Sequence, residues 1–382
     1  MSFTKEEIAE RGHPVWAEID LGALRHNVRT LAGIASGAEL MTVVKGYAYG
    51  HGNPECAVAA LQAGAARIGV ARVAEALHLR EAGIDAPIHV FTEPPPDAAS
   101  TMLELDLTPT VYTEEFGNAL SAAAIAANRD IAVHVKLDTG MHRVGVMSDD
   151  VPKAIQRLAS LPRIEIEGVW SHLAVADLPD HPFTRKQLDL FADLVGRIER
   201  AGIELRYKHM ANSAATLSLP ESHLDLVRCG IATYGLWPGP DLAGSADLKP
   251  VLALRSRINM AKHVPAGDAL SYGLQYELGK PSSVVTVPAG YADGYDRRLS
   301  GRAEVLIRGV RYKVSGTVCM DQFMVDVGDD EVEVGEVATL IGDDGDERIT
   351  AEELAAFSGT INYEVTARIP SRVPRIFLEE DH

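Results

Sequence analysis

The chain has 382 residues, of which 46% are hydrophobic and 24% are charged, the composition of an ordinary soluble globular protein. Its length predicts two domains, or one large barrel with an addition. The formal net charge of -18 is spread along the sequence without a long block of like charges. This distribution argues against nucleic acids and anionic membrane surfaces as partners, so we expect small-molecule partners.

The three cysteines, Cys56, Cys229 and Cys319, are odd in number and far apart in the sequence. They form neither a disulfide framework nor a zinc-binding pattern, so we expect a reducing compartment and no metal centre. Residues 1–16 carry charges where a signal peptide needs an apolar core, and no apolar run reaches transmembrane length. These features predict a cytoplasmic protein.

From residue 40 onward, short β-rich runs alternate with amphipathic or alanine-rich stretches at intervals of roughly two to three dozen residues, as in βα units. The runs cover residues 40–45, 67–71, 88–92, 108–112, 131–138, 166–172, 207–212 and 225–231. Helices are expected between them, for example over residues 72–83 and 183–202. Eight such units predict a (β/α)8 TIM barrel, because closure removes both sheet edges. The alternative, an open doubly wound sheet, would place a GxGxxG motif after its first strand, and the sequence lacks one.

The pattern changes after about residue 240, where helical periodicity fades and short strands with turn signals follow. Typical segments are residues 282–296, 303–316 and 331–347. We expect residues 1–240 to form the barrel domain and residues 241–382 to form a second, mainly β domain. The run of residues 15–20 precedes the barrel, and we expect it to pair with the second domain.

Polar residues at the ends of the predicted strands define a candidate site, because (β/α)8 enzymes work at the C-terminal face of the barrel. These residues are Lys45, Lys136, Arg143, His172, Asn212, Ser213 and Arg228. Any one of them alone is more often an ordinary polar residue than a catalyst. Their convergence on one rim predicts an active site.

The segments after the seventh and eighth strands form the corner at which such barrels usually bind phosphate. Ser213 is expected to cap a helix there, and the amides around Gly230 and Ile231 can donate to a phosphate. An ordinary helix cap and turn is the alternative. A phosphate site opposite Lys45, at the end of a strand, suggests pyridoxal 5'-phosphate held by a Schiff base and by its phosphate tail.

Several motifs follow one another along the chain, namely VVKGYAYGHG, KLDTGMHRVG, HMANSAAT, VRCGIATYGL, LSYGLQY, GYADGYDRR, CMDQ and INYEV. In this order they resemble the alanine racemase family of fold type III pyridoxal phosphate enzymes over essentially the whole chain. The resemblance implies a homodimeric isomerase, with a barrel domain and a β domain in each chain. It also implies interconversion of L-alanine and D-alanine, which provides D-alanine for peptidoglycan synthesis.

The resemblance implies that Lys45 is the Schiff-base lysine and that Tyr272 is the second acid/base residue. Racemisation removes the α-proton from one face and returns it to the other, and one rigid base cannot easily reach both faces. Arg228 is implied as the partner of the pyridine nitrogen. Because arginine is always charged and only donates, that nitrogen stays unprotonated, which leaves the carbanion short-lived and limits transamination.

The resemblance also implies roles for the other matching positions. The cofactor phosphate would be held by Tyr49, Ser213, Gly230, Ile231 and Tyr363. His172 and Asn212 would lie behind Arg228, while Arg143 and Met320 would meet the substrate carboxylate. Lys136 matches a lysine that is often carbamylated in the family, which would make it an anion that braces the arginine.

Three residues depart from the usual motifs of the family. The family commonly has Lys-Ala-Asp-Ala-Tyr-Gly-His-Gly in the first motif, whereas this chain has Gly46 and Tyr47 after the lysine. His142 stands where the family commonly has glycine, next to Arg143. We expect these departures to bear on the packing around Lys45, on the rate and on the substrate range.

Other functions stay open at this point. A pyridoxal phosphate-dependent amino-acid decarboxylase could share the two-domain plan, although decarboxylation profits from a stronger electron sink than Arg228 allows. A non-enzymatic pyridoxal phosphate carrier would resemble the barrel alone, without the domain that bears Tyr272. A serine racemase or a broad-specificity racemase is a further alternative, because the size of the side-chain pocket cannot be read from one sequence.

Overall fold

The computed structural model describes residues 4–178 and 180–379. These residues divide into two compact units. The first, which we call the barrel unit, holds residues 24–48 and 53–249. The second, which we call the β unit, combines residues up to 23, residues 49–52 and residues from 250 onward. The predicted domain ends at residues 1 and 382 lie outside the described residues.

The barrel unit is built on eight parallel strands. They are Glu39–Val43, Arg67–Val70, Ile88–Val90, Leu107–Val111, Ile131–Asp138, Ile164–Trp170, Tyr207–His209 and Leu226–Cys229. Each strand pairs with the next in chain order up to the seventh, and the eighth pairs with the first, with Arg228 opposite Met41. At the remaining seam, the Arg228 amide donates to the Ala211 carbonyl over 3.0 Å. The predicted fold class, a TIM barrel followed by a mainly β part, is confirmed.

Helices follow the strands of the barrel unit, as the alternating pattern predicts. The α-helices that follow the strands are Asn53–Gln62, Val73–Glu81, Ala99–Glu104, Glu114–Ala126, Val151–Ala159, Pro182–Arg200 and Ser213–Ser218, while Leu21–Ile34 precedes the first strand and begins in the β unit. The strands between them are buried on both faces, for example at every position of Leu226–Cys229, because helices cover a parallel sheet on its outer side. Caps fix where the helices begin: Thr113 Oγ1 accepts from the Phe116 amide, and Pro182 occupies the first position of the longest helix.

Seven of the eight barrel strands end one to three residues earlier than the apolar runs predict, and only the fifth ends where predicted, at Asp138. The first strand ends at Val43, the sixth at Trp170 and the eighth at Cys229. Lys45, His172 and Gly230 therefore lie in the turns beyond the strands. The backbone leaves the ladder at these points because it enters tight turns, and such loops are where barrel enzymes carry functional groups.

The β unit contains three sheets. The largest has the order Val310–Lys313, Glu304–Ile307, Val337–Asp344, Leu252–Arg257, Val15–Asp20 and Arg375–Leu378, with Glu347–Ile349 paired to Val337–Asp344. Val15–Asp20 runs antiparallel to Leu252–Arg257 and parallel to Arg375–Leu378. Alternating burial along Leu252–Arg257 shows a sheet with one covered face.

The two smaller sheets and three short helices complete the β unit. Met260–Val264, Ser282–Val287 and Phe323–Gly328 form one sheet, and Ala269–Leu270 with Tyr276–Glu277 forms the other. The helices are Lys5–Glu10, Ala351–Ser358 and Asn362–Ala367. Among the described residues of both units, none of the helices combines the length and the apolar character needed to cross a bilayer.

Candidate active site

Lys45 opens a left-handed turn after the first barrel strand. The φ and ψ angles are 63° and 42° at Gly46, 57° and 47° at Tyr47, and 53° and 50° at Ala48. Residues with a side chain rarely adopt this conformation, because Cβ crowds the backbone. Glycine adopts it freely, so Gly46 suits this position better than the alanine that is common in the family.

The Glu75 carboxylate anchors this turn. One of its oxygens accepts from the Gly46 amide at 2.7 Å, and the other accepts from the amides of Ala71 at 2.8 Å and Arg72 at 3.0 Å. The turns after the first and second barrel strands are thereby tied together, which positions Lys45. The sequence reasoning missed Glu75, although a glutamate in the first turn of a predicted helix is a known signal for such contacts.

The Lys45 amine lies among other cationic groups. The side chain is exposed, but the protein atoms around it desolvate the amine and lower its pKa, and the charges of Arg143 and Arg228 lower the pKa further. Glu75 acts in the opposite direction. An amine with a lowered pKa is more often neutral near pH 7, so Lys45 can act as a base or a nucleophile.

Lys136 is buried on the fifth strand and belongs to the same cluster. Burial, followed by the charge of Arg228, lowers the pKa of its amine to about 7, and Asp138 opposes this shift. Its Nζ donates to the Leu137 carbonyl at 3.2 Å and lies 4.7 Å from the centre of the Trp170 ring. The amine thus has a backbone acceptor and an aromatic face as neighbours.

His142 takes the left-handed conformation, with φ of 54°, at the position where the family commonly has glycine. The Asp138 carboxylate holds this turn. Its Oδ1 accepts from the amides of Gly140 at 2.9 Å and His142 at 3.1 Å, while its Oδ2 lies 3.3 Å from His142 Nδ1. These contacts stabilise a backbone conformation that histidine otherwise avoids, and they shape the segment that leads to Arg143.

Arg228 is buried and heavily hydrogen-bonded. Its Nη2 donates to the carbonyls of Ser171 at 2.9 Å and Met210 at 3.0 Å. The Nδ1 atom of His172 lies 3.3 Å from the same Nη2. Burial, and after it the charge of Arg228, holds the pKa of His172 well below its usual range. The guanidinium is therefore fixed in one orientation beside a neutral imidazole.

The other guanidinium nitrogen, Nη1, faces a residue that the sequence reasoning missed. His209 Nδ1 lies 3.0 Å from it, at the end of the seventh strand. His209 in turn contacts His134, which contacts Glu167. The alternation along the fifth strand, in which His134 and Lys136 face the same side, is the sequence signal that could have indicated these contacts.

In the predicted phosphate corner, the residue that caps the helix is not the one expected from the sequence. The helix Ser213–Ser218 is capped by Asn212, whose Oδ1 accepts from the Ala215 amide at 3.0 Å. The expectation that Ser213 is the cap is therefore wrong, because Ser213 turns toward the neighbouring loop. Its Oγ accepts from the amides of Gly230 at 3.0 Å and Ala232 at 3.3 Å. Ser213, Gly230 and Ile231 thus lie together in one buried corner.

The β unit holds Tyr272 at the tip of the hairpin formed by Ala269–Leu270 and Tyr276–Glu277. The tip is tightly wound, with positive φ at Ser271 of 67°, Gly273 of 80° and Leu274 of 50°. Thr317 Oγ1 donates to the Tyr272 carbonyl at 2.8 Å. This anchoring presents the phenol side chain outward, and Tyr272 is 75% exposed in the single chain.

Met320 lies on a loop near this hairpin. Ser271 Oγ is 3.6 Å from Cys319 Sγ, and the Met320 carbonyl accepts from the Ala292 amide at 3.0 Å. A Cβ on Gly290 would lie 2.3 Å from the Met320 carbonyl oxygen, so this position requires glycine. Tyr272 and Met320 therefore come from adjoining loops, and the Met320 side chain is also exposed.

Tyr49 and Tyr363 form a second pair in the β unit. Their ring centres are 6.1 Å apart, with the planes tilted by 55°. The segment that carries Tyr49 is held by Arg375, whose Nε and Nη2 donate to the Gly50 carbonyl at 3.0 and 2.6 Å. Gly50 has φ of 88°, and a Cβ there would lie 2.0 Å from the Thr366 carbonyl oxygen. The two tyrosines are thus brought together by close backbone packing.

The structure distributes the predicted site residues over both units. The barrel unit holds Lys45, Lys136, Arg143, His172, Asn212, Ser213, Arg228, Gly230 and Ile231, and the β unit holds Tyr49, Tyr272, Met320 and Tyr363. Among the described residues, no group of histidine, cysteine and carboxylate side chains has the arrangement of a metal site. The predicted site residues themselves supply amines, guanidinium groups, an imidazole and phenols.

Comparison with known proteins gives the same family in both parts of the chain. The sequence model of the alanine racemase N-terminal domain matches residues 19–238, and that of the alanine racemase C-terminal domain matches residues 251–377. The alanine racemase of Carboxydothermus hydrogenoformans is 45% identical, over 96% of this chain and 100% of its own length. The alanine racemase of Methanococcus maripaludis is 41% identical, over 96% of this chain and 99% of its own length.

Solved structures agree with this result. The alanine racemase from D-cycloserine-producing Streptomyces lavendulae is 43% identical and superposes with a TM-score of 0.92, covering 96% of this chain and 97% of its own. The Bacillus anthracis alanine racemase with bound L-Ala-P is 39% identical, with a TM-score of 0.91 and coverage of 97% and 96%. The resemblance carried by the motifs is confirmed, and the chain belongs to the alanine racemase family.

Proposed function

We propose that this chain catalyses the pyridoxal phosphate-dependent interconversion of L-alanine and D-alanine, an isomerase reaction. The observation that carries the proposal is the lysine amine of lowered pKa, Lys45, in one cluster with Arg143, Arg228 and His172. In a bacterial cell wall pathway this activity provides D-alanine for peptidoglycan, and we propose that it takes place in the cytoplasm.

The residues of the barrel unit fit the cofactor, an aldehyde that carries a phosphate. Lys45 supplies an amine for the aldehyde, and the corner of Ser213, Gly230 and Ile231 supplies a hydroxyl and backbone amides for the phosphate. The charges of Arg143 and Arg228 lower the pKa of both Lys45 and Lys136, so anions bound among these groups are stabilised. Both the cofactor phosphate and the alanine carboxylate are such anions.

The β unit contributes the remaining residues of the proposal. Tyr49 and Tyr363 would add phenol donors to the phosphate, and Met320 would join Arg143 at the substrate carboxylate. Asn212 would contact the cofactor from the turn that precedes the helix Ser213–Ser218. When bound, pyridoxal phosphate supplies an electron sink that makes the α-proton of alanine acidic.

Lys45 and Tyr272 move the proton in this proposal. The lowered pKa of Lys45 favours the neutral amine, the form that can accept the α-proton on one face. Tyr272, held outward by the bond from Thr317 to its carbonyl, donates or accepts at the other face. Each residue then serves as base in one direction of the reaction and as acid in the reverse direction.

Arg228 favours racemisation over decarboxylation. Its guanidinium is held by the Ser171 and Met210 carbonyls and by His209, and it has only donors to offer to a ring nitrogen. A group that cannot give up its proton readily leaves the nitrogen unprotonated, which keeps the electron sink weak. A weak sink is sufficient for a proton exchange and disfavours side reactions.

We further propose that the chain acts as a homodimer with shared active sites. Large apolar side chains of the β unit are open to solvent in the single chain, with exposures of 75% for Tyr272, 69% for Leu274 and 54% for Met320. A second copy of the chain that covers these groups would bury them and exclude water from the reaction. Two-fold symmetry would give each site Lys45 of one chain and Tyr272 of the other.

The proposal is tested by following optical rotation with single L-amino acids and added pyridoxal phosphate. We expect rotation to vanish with L-alanine and carbon dioxide to remain undetected. Release of carbon dioxide would instead establish a decarboxylase, and equal rates with L-serine would establish a broad-specificity racemase. A purified holoprotein that changes none of the amino acids would contradict the enzymatic proposal and favour a carrier.

A further inference from the structure

A chain of hydrogen bonds runs inside the barrel from Arg228 toward the opposite end of the strands. Arg228 Nη1 lies 3.0 Å from His209 Nδ1, and His209 Nε2 lies 2.7 Å from His134 Nδ1. His134 Nε2 lies 3.0 Å from Glu167 Oε2. Both histidines have 0% exposure and Arg228 has 4%, so bulk water does not reach these links.

The two residues at the ends of this hydrogen-bond chain, Arg228 and Glu167, decide which ring nitrogens carry the protons. A guanidinium only donates, so His209 Nδ1 must accept from Arg228, and its proton must be on Nε2. A carboxylate only accepts, so His134 must carry its proton on Nε2 and accept from His209 at Nδ1. Burial holds the pKa of His209 well below its usual range and lowers that of His134, so both rings are neutral at neutral pH.

Glu167 is a firm end point for this chain. Arg67 donates to both of its carboxylate oxygens, at 3.0 Å from Nη2 and 3.2 Å from Nη1, and Arg206 lies 3.6 Å away. Burial opposes ionisation, but the hydrogen bonds from His134 and Arg67 outweigh it and lower the pKa of Glu167 to about 2. Glu167 therefore remains a carboxylate at any pH at which the enzyme would work.

Trp170 restrains His209 and Arg228 through contacts with its indole ring. Its indole is stacked on His209, with ring centres 5.7 Å apart and planes 6° from parallel. The central carbon of the Arg228 guanidinium lies 4.8 Å from the centre of the same indole. His209 and Arg228 therefore have little freedom to tilt, and a change in the protons between them cannot be absorbed by rotation of a ring.

We propose that Glu167 is a positioning residue, which through His134 and His209 presents an acceptor to Arg228 and so fixes the guanidinium toward the pyridine nitrogen. With glutamine at position 167, the amide can donate to His134 Nε2, which moves the His134 proton to Nδ1, opposite the Nε2 proton of His209 that Arg228 fixes. Two N–H groups then face each other between the histidines, which displaces His209 and with it the guanidinium. The effect on the reaction rests on the proposed function, whereas the proton positions do not.

Glu39 provides a matched control on the same face of the barrel. Its Oε2 lies 3.9 Å from Arg67 Nε, and both of its oxygens accept from the Tyr207 hydroxyl at 3.1 and 3.2 Å. Glu39→Gln therefore removes a neighbouring carboxylate from Arg67, while the contacts from Arg228 to Glu167 stay intact. The effect of Glu39→Gln on the spectra and on the reaction partition therefore measures what the loss of a negative charge beside Arg67 does in general.

The first test is nitrogen-15 NMR of histidine in the wild-type holoenzyme between pH 7 and 9, with signals assigned from single His→Gln variants. We expect neutral rings with the proton on Nε2 for both His134 and His209 across this range. A cationic ring, or a proton on Nδ1 of either residue, would overturn the proposal. This measurement needs no variant of Glu167 and no activity.

The second test compares Glu167→Gln with Glu39→Gln in the same spectra and in reaction partition. We expect Glu167→Gln alone to move the His134 proton to Nδ1 and to raise transamination per racemisation turnover roughly fivefold, the effect of about one hydrogen bond. An unchanged partition with moved protons would overturn the positioning role but leave the racemase function intact. If wild-type holoenzyme racemises nothing, the function fails, while the spectra still decide the proton positions.

Discussion

The Glu75 carboxylate accepts a hydrogen bond of 2.7 Å from the Gly46 amide. This bond attaches the turn that carries Lys45 to the helix Val73–Glu81, which follows the second barrel strand. Gly46 adopts φ of 63°, and a Cβ placed on it would meet no atom within 4 Å. The restriction at this position is therefore one of backbone conformation and not of space.

Gly46→Ala should lower the free energy of unfolding by about 1 kcal/mol, because alanine resists the left-handed conformation. Urea denaturation of the apoprotein measures this difference. Gly33→Ala is the control, since Gly33 lies in the helix Leu21–Ile34 without positive φ and with open space at Cβ, and it should stabilise by up to about 1 kcal/mol. Equal effects of the two substitutions would contradict the conformational explanation.

Lys45 should be the residue that carries the cofactor. Borohydride reduction of the holoenzyme, followed by proteolysis and mass mapping, is expected to place a pyridoxyl group on Lys45 and to leave Lys136 unlabelled. Lys45→Arg should retain the fold and lose the label. A pyridoxyl group on any other lysine would refute this assignment.

Arg228→Glu should change the course of the reaction. A glutamate near the ring nitrogen favours its protonation, which strengthens the electron sink, so racemisation should slow and transamination should increase. Production of pyruvate and of pyridoxamine phosphate during turnover of L-alanine measures the partition. Should the ratio of transamination to racemisation stay constant, the structural argument against a decarboxylase would be lost.

Lys136 should make stability depend on pH. Its pKa is about 7 in the folded chain against a usual 10.5, so the unfolded chain binds more protons between these values. The contribution of Lys136 to the free energy of unfolding therefore increases as the pH rises from 7 to 10.5, and the folded state gains least from Lys136 below pH 7. Urea denaturation at pH 7 and 9 in carbonate-free buffer should show this rise, and Lys136→Gln should reduce it.

Lys136 is also the position at which we propose carbamylation. A largely neutral amine at pH 8 can react with carbon dioxide, and the resulting anion would relieve repulsion from Arg228. Carbon-13 bicarbonate should give a carbamate signal in the wild type that is missing in Lys136→Gln. A signal of equal intensity in both proteins would assign it to another amine.

The shared active site predicts complementation between inactive chains. Lys45→Ala and Tyr272→Phe should each be nearly inactive alone, because each lacks one of the two proton-transfer residues. After reversible dissociation and mixing, half of the dimers combine both variants and contain one intact site, so about a quarter of the wild-type activity should return. Confirmed exchange of subunits without recovered activity would place both residues in one chain's own site.

The eight barrel strands and the mainly β part could be predicted because apolar runs and turn signals recur at regular spacing. Lys136 and Arg228 were recognisable as polar residues within or after such runs. His134, His209 and Glu167 were missed, because a polar residue that points into a barrel interior looks like an ordinary strand residue in sequence. The left-handed turn at Gly46–Ala48 was also out of reach, since only tertiary contacts such as that of Glu75 stabilise positive φ at Tyr47 and Ala48.

Residues 49–52 belong to the β unit, although the chain on both sides of them belongs to the barrel unit. Gly50 packs closely against Thr366, and its carbonyl accepts two hydrogen bonds from Arg375, which lies 325 positions later in the sequence. The shape of this short segment therefore has to fit a region near the C-terminus. Exchange of residues from 250 onward between relatives would therefore join mismatched partners at this point. Productive recombination must transfer residues 15–20 and 49–52 together with the residues from 250 onward, so these separate segments are inherited as one unit.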